Sequence, residues 1–171
     1  MTSERKAFLK KNLLPEDGFQ QLKEHFLSHP TFRDTTTSEF KRRMIEGYSD
    51  KLLYLYHIKL TSIARQLFNS PTLVPSYSLF VEYVDGANLP KHKDSNACTY
   101  TLDLCLYEST PWGIWVDGEE FFMKENDALC FYGEEQEHWR EPLQATDVKI
   151  GLVFFHYVEP DHWFFSEGPN H

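Results

Sequence analysis

The sequence predicts an α+β chain, mainly β, in which a short antiparallel barrel or sandwich is buttressed by helices that precede it. Two observations carry this. Apolar residues recur at gaps of three and four in the segments before residue 70, and from Pro75 onward the period falls to two. A third concerns size: 171 residues suffice for one domain with a proper core and are too few for two ordinary ones. The expected layout is a single domain over 1–171, with helical support over about 1–70, a barrel over about 75–158 and a tail over 159–171.

The first helix is expected over Pro15 to Ser28, where Phe19, Leu22 and Phe26 fall at helical spacing and Pro15-Glu-Asp supplies a start signal. A second is expected over Leu53 to Leu67, where Leu53, Tyr56, Leu60, Ile63 and Leu67 form one apolar stripe ending near Asn69-Ser-Pro71. Then Tyr77, Leu79, Val81 and Tyr83 alternate with Ser78, Phe80 and Glu82, and Tyr100, Leu102, Leu104 and Leu106 alternate with Thr101, Asp103 and Cys105. Both read as strands. Further strands are expected over Gly113 to Val116, Glu119 to Met123, Ala128 to Tyr132 and Lys149 to Val158, the first two joined by the hairpin signal Asp117-Gly118. The tail, with Trp163, Phe164 and Phe165, is expected to pack back on the barrel or line a pocket mouth.

Composition narrows the function classes. A net charge of −9 argues against a nucleic-acid backbone binder, which needs clustered Lys and Arg. The one basic cluster, Lys41-Arg42-Arg43, reads as the solvated face of a helix. No stretch approaches the roughly eighteen apolar residues of a membrane span, and Met1-Thr-Ser-Glu-Arg-Lys has no apolar core of a secretory signal, so a cytoplasmic address is expected. Cys98, Cys105 and Cys130 read as buried reduced thiols. His25, His29 and His57 are expected in helices as surface or satisfied core residues, and none has a spaced carboxylate partner.

One constellation carries chemistry. In His92-Lys93-Asp94 a two-residue step on extended chain points both outer side chains the same way, and His138, after the strand Ala128 to Tyr132, is expected to be carried on a neighbouring strand. Two imidazoles and one carboxylate on one face of an octahedron suit non-haem iron(II) and leave three positions open.

The segment Glu82-Tyr-Val-Asp-Gly-Ala-Asn-Leu-Pro-Lys-His-Lys-Asp94 resembles the entry into the double-stranded β-helix of the 2-oxoglutarate/iron(II) oxygenases, particularly their prolyl-hydroxylase-like branch. Gly113-Ile-Trp through Tyr132-Gly133, Glu137-His-Trp-Arg-Glu-Pro142 and Lys149 to Val158 are similar to that family's later landmarks, so the resemblance covers about residues 75–158. It implies a jelly-roll, cupin-like barrel with Fe(II) held by His92, Asp94 and His138. It also implies 2-oxoglutarate as cosubstrate and O2 as oxidant, with no catalytic side chain beyond the metal ligands. Lys149, at the start of the last strand, would pair with the far carboxylate of 2-oxoglutarate, with Arg140 as the second candidate. Tyr83 would match a tyrosine that hydrogen-bonds the cosubstrate. The implied activity is hydroxylation of an unactivated C–H bond, with succinate and CO2 as coproducts. A small molecule is preferred as substrate over a peptide or protein, and a cupin-like metal module or an enzyme independent of 2-oxoglutarate is the alternative of another class. Asp103, a carboxylate in a strand, has no assigned place.

Overall fold

Residues 4–29, 33–35, 40–95, 97–163 and 165 are described in the computed structural model of the chain. A short strand β1 (Phe8–Lys10) leads into α1 (Glu16–Leu27), which starts where the sequence predicts it to. The Pro15 carbonyl accepts the first helical bond from the Phe19 amide, and Glu16 and Asp17 place negative charge at the positive end of the helix dipole. Phe19, Leu22 and Phe26 are buried, and the Phe26 ring stacks on Phe80 at 4.1 Å between centroids.

Next come β2 (Arg33–Thr35), β3 (Arg42–Glu46) and a single 3-10 turn over Gly47–Ser49. Lys41-Arg42-Arg43 is therefore not a helix face. Arg42 and Arg43 open a strand whose partner is the stretch ending at Tyr83, so their surroundings are set by cross-strand neighbours. The long apolar stripe folds into two helices, α2 (Lys51–Lys59) and α3 (Thr61–Leu67), which meet at Leu60. Leu53, Tyr56 and Leu60 are buried as expected, whereas Ile63 and Leu67 are only partly buried against the same core.

The period-two segments pair as β4 (Val74–Tyr83), β5 (Leu89–His92), β6 (Tyr100–Glu108), β7 (Ile114–Val116), β8 (Glu119–Phe121), β9 (Ala128–Phe131), β10 (His138–Arg140) and β11 (Ile150–Val158). They form a seven-stranded sheet in the order β1-β9-β6-β11-β4-β3-β2 and a four-stranded sheet in the order β5-β10-β7-β8, with every pairing antiparallel. From β4 to β11 the chain passes repeatedly from one sheet to the other, which is the winding of a double-stranded β-helix. The Asp117-Gly118 signal holds: both residues have positive φ, 48° and 83°, as the tight turn between β7 and β8 requires.

Two cores result. The helices pack on the outer face of the large sheet against Phe80, Leu102, Leu104, Val153 and Phe155. Between the sheets lie Val81, Tyr83, Ile114, Val116, Phe131, Ile150 and Leu152. The alternation of β6 thus sends Leu102 and Leu104 toward the helices and Thr101, Asp103 and Cys105 to the other face of the strand, inside the barrel. All three cysteines are buried and unpaired with one another. No helix among the described residues is long and apolar enough to cross a membrane. Of the aromatic tail, Phe164 and residues 166–171 lie outside the described residues.

Candidate metal centre and its pocket

His92 ends β5 and His138 begins β10, and the antiparallel ladder sets the two residues directly opposite each other. Their rings lie 4.3 Å apart, and each Nε2 stands 3.3 Å from Oδ1 of Asp94. The donor atoms of the three residues all lie within 4.8 Å of one another. Each ring is oriented from behind. His92 Nδ1 is 2.7 Å from the Pro90 carbonyl and His138 Nδ1 is 2.8 Å from the Gln136 carbonyl. A carbonyl only accepts, so both Nδ1 atoms carry the proton and both Nε2 atoms are left to face the common point, the arrangement that metal-bound histidines adopt.

Asp94 is placed by its own backbone, whose amide donates to the Gly133 carbonyl at 2.8 Å. Gly133 lacks a side chain for a reason visible here: a Cβ at that position would stand 2.3 Å from Asp94 Oδ2. Burial pushes the Asp94 carboxyl up, but the His138 and His92 side chains beside it outweigh burial and hold the group well below the usual carboxylate range. His92 shifts the other way, because Asp94 favours its protonated form more than burial opposes it. The site is thus an anionic carboxylate between two imidazoles, a donor set that a divalent cation would satisfy.

A cavity of about 330 Å³ opens beside these residues, and its lining includes Arg42, Tyr83, Phe131, Arg140, Phe154 and His156. Arg140 lies on the inward face of β10 and is buried. Its Nη1 donates to the Trp112 carbonyl at 2.6 Å, its guanidinium sits 4.8 Å from the centroid of the Trp112 ring, and its Nη2 is 3.6 Å from Asp103 Oδ2. At that distance the pair is ionic but not hydrogen-bonded. Arg140 Nη2 and both oxygens of Asp103 are buried with no hydrogen-bond partner among the described residues. Burial pushes the Asp103 carboxyl up to about 6 even though Arg140 opposes the shift.

Lys149 takes a different place from the one its position in sequence suggested. Ile150 and Leu152 point between the sheets, so Lys149 falls on the opposite parity; it is exposed, with its Nζ 5.9 Å from the Tyr107 ring, and does not line the cavity. Arg140, the second candidate, reaches the interior. Tyr83 is fully buried in the cavity wall, its ring edge-on to Trp112 and its hydroxyl 3.4 Å from Arg42 Nη1.

Sequence reasoning missed Arg42 and His156. Arg42 reaches the cavity because β3 sets it opposite Tyr83. His156 has its Nδ1 3.0 Å from Thr101 Oγ1, and burial takes it down to about 4, so it is neutral at ordinary pH. Glu134 accepts a hydrogen bond from the Cys98 amide. Glu137 is exposed beside Lys91 and is not grouped with the donor atoms of His92, Asp94 and His138.

No family model matches the chain, and no curated protein matches its sequence. Solved structures do match its fold. One is an oxidoreductase of the 2OG-Fe(II) oxygenase family from Burkholderia pseudomallei, with a TM-score of 0.72 and 8% identity over 91% of this chain and 86% of that one. HygX from Streptomyces hygroscopicus, with nickel, 2-oxoglutarate and hygromycin B bound, gives a TM-score of 0.71 and 10% identity over 92% and 84%. A prolyl-4-hydroxylase from Pseudomonas putida gives 0.65 and 15% over 90% and 93%. The double-stranded β-helix of this chain is the fold of these proteins.

Proposed function

We propose that the chain is an iron(II)- and 2-oxoglutarate-dependent oxygenase that hydroxylates an unactivated C–H bond of a small molecule, such as an amino acid or a natural-product intermediate, releasing succinate and CO2. The observation that carries the reading is the pairing of His92 and His138 across one ladder, with both Nε2 atoms turned to Asp94, beside a cavity that Arg140 lines. Three protein donors leave room on a six-coordinate ion for a chelating keto acid and oxygen.

The residues fit that cargo. His92, Asp94 and His138 would hold the ion, which when bound supplies the redox chemistry of the cosubstrate and dioxygen. Gly133 leaves the space that the Asp94 carboxylate occupies. Arg140 offers a buried guanidinium with one nitrogen unsatisfied, which suits the far carboxylate of 2-oxoglutarate better than the exposed Lys149 does. Tyr83 and Trp112 fix the walls around it, and Phe131 and Phe154 help keep water from the reacting centre. Arg42, which has no carboxylate partner among the described residues, gives the cavity a cation for an anionic group on the substrate.

The likeness to the P. putida prolyl-4-hydroxylase favours a second reading, a peptidyl hydroxylase using the same centre. One experiment addresses both. Anaerobic addition of iron(II) and 2-oxoglutarate should produce the visible charge-transfer band of a chelated keto acid. A screen of metabolites and proline-containing peptides for succinate release then identifies the substrate. With that substrate, one succinate should form per product and the new oxygen atom should come from labelled dioxygen. Robust substrate oxidation in 2-oxoglutarate-free buffer would instead assign the chain to a cupin-like enzyme that needs no keto acid, and loss of the band would remove the proposal.

A further inference from the structure

We infer that His25, His29 and Asp50 form a second metal site, a zinc(II) clamp joining the end of α1 to the start of α2. Nothing in it depends on the oxygenase reading. His25 lies in the last turn of α1, and His29, four residues on, follows just past its C-cap Ser28. Asp50 is the N-cap of α2, and its two oxygens are divided between two tasks. Oδ1 accepts the capping bond from the Leu53 amide at 2.9 Å, while Oδ2 faces His25 Nε2 at 2.7 Å and His29 Nε2 at 3.2 Å.

The donor atoms of the three residues lie within 4.8 Å of one another, as those of His92, Asp94 and His138 do. The likeness goes further. In both groups one carboxylate oxygen stands between two Nε2 atoms, at 2.7 and 3.2 Å here and at 3.3 Å twice there. The two rings stand nearly perpendicular, 83° apart, and both Nε2 atoms face the same oxygen, Asp50 Oδ2. As hydrogen bonds alone, both imidazoles must bring an N–H to the same oxygen atom. A single cation satisfies all three groups at once.

Charge and access agree with this. Burial raises the Asp50 carboxyl, but the Leu53 amide and His25 outweigh it and keep the group below its usual range, hence anionic. Asp50 is buried, whereas the imidazoles are about one-third and one-fifth exposed, so an ion can enter and a water can complete a tetrahedron. Two imidazoles, one carboxylate and one water make a donor set that zinc(II) accepts at about 2.0–2.2 Å from each protein atom.

The test uses tag-free protein in which His92→Ala, Asp94→Ala and His138→Ala remove the other donor group. Calorimetric titration with zinc chloride should give one zinc ion per chain, and saturating zinc should raise Tm by several degrees. Asp50→Asn on this background keeps an oxygen for the Leu53 amide but loses the anionic ligand. It should weaken zinc binding about tenfold or more while leaving the zinc-free Tm within about two degrees. His29→Gln should weaken binding similarly. Cobalt(II) in place of zinc should show the intense visible bands of a tetrahedral ion. A metal count on chains with the first donor group intact, falling from two zinc ions to one with Asp50→Asn, reads the site even where the triple variant does not fold. No zinc uptake without the first group, or uptake that Asp50→Asn and His29→Gln leave unchanged, would overturn the inference.

Discussion

His92 and His138 are cross-strand partners, and the register that pairs them brings both Nε2 atoms to 3.3 Å from one oxygen of Asp94. A slip of one residue in β5 or β10 would turn one imidazole to the other face of the sheet. The grouping of these three side chains is therefore a property of strand pairing. Asp94→Ala, which leaves that pairing in place, should keep the fold and lose manganese(II) binding by at least about tenfold. Electron paramagnetic resonance of added manganese reads the loss, and circular dichroism the fold. Unchanged binding would mean that the two histidines suffice and that Asp94 serves another purpose.

Gly133→Ala tests the same centre without touching a ligand. Its Cβ would meet Asp94 Oδ2 at 2.3 Å and the Cys98 carbonyl at 2.9 Å, and the second neighbour is backbone, so the carboxylate must give way. Displacing Asp94 by even a few tenths of an ångström should cost metal affinity more than stability. The expected result is about a tenfold weaker manganese complex and a Tm within a few degrees of the parent. A variant with normal affinity would show that the loop at Gly133 has slack.

His57 gives a prediction about acid. It is buried on α2 with Nε2 2.8 Å from the His156 carbonyl, and burial lowers it to about 4 although that carbonyl works the other way. The unfolded chain takes up the proton near pH 6.5, before the folded chain does. His57 therefore contributes stability that is complete above about pH 6.5 and is lost progressively as pH falls toward 4. Between pH 7 and pH 4.5 the loss from this residue should be about 2 kcal/mol. Urea unfolding at the two pH values should show His57→Met losing about 2 kcal/mol less than the parent, whatever its stability at pH 7. Equal losses would mean that acid stability is governed elsewhere.

Local chemistry was legible in the sequence and pairing was not. The β4 alternation and the Asp117-Gly118 turn each depend on residues within one segment, and both stand as read. β1, β2, β3, β5 and β10 are three to five residues long, too short to show a period, and exist through the ladders that hold them. The break at Leu60 carries no Gly or Pro to announce it; Leu60 keeps a right-handed helical conformation and the chain simply restarts as α3. The grouping of His92 with Asp94 was readable because they lie two positions apart at the end of β5, whereas the partners in the cavity were hidden by burial on both faces of β6. Alternation marked Leu102 and Leu104 as buried and left Asp103 on the other side; that side is the barrel interior, facing Arg140. His25 and His29 gained their carboxylate the same way, from Asp50, a residue distant in sequence.

The proposal that Arg140 rather than Lys149 anchors 2-oxoglutarate rests on parity. Ile150 and Leu152 face inward, which sends Lys149 outward, while Arg140 follows His138 by two residues on β10 and shares its inward face. A charge-assisted hydrogen bond to a carboxylate contributes about 1.5–3 kcal/mol, or roughly ten- to a hundredfold in affinity. Arg140→Lys keeps a positive charge beside Asp103, so that no buried carboxylate is abandoned, but loses the fork that would hold two oxygens. It should raise the 2-oxoglutarate concentration needed for half-saturation of the manganese-loaded protein about tenfold, with manganese affinity unchanged. Lys149→Ala should alter neither quantity, since its ammonium group is exposed and sits over Tyr107. Calorimetric titration of 2-oxoglutarate into the two manganese-loaded variants decides the matter. Weaker cosubstrate binding in Lys149→Ala, with Arg140→Lys unaffected, would require the start of β11 to turn inward when the cavity is filled and would return the anchor to Lys149.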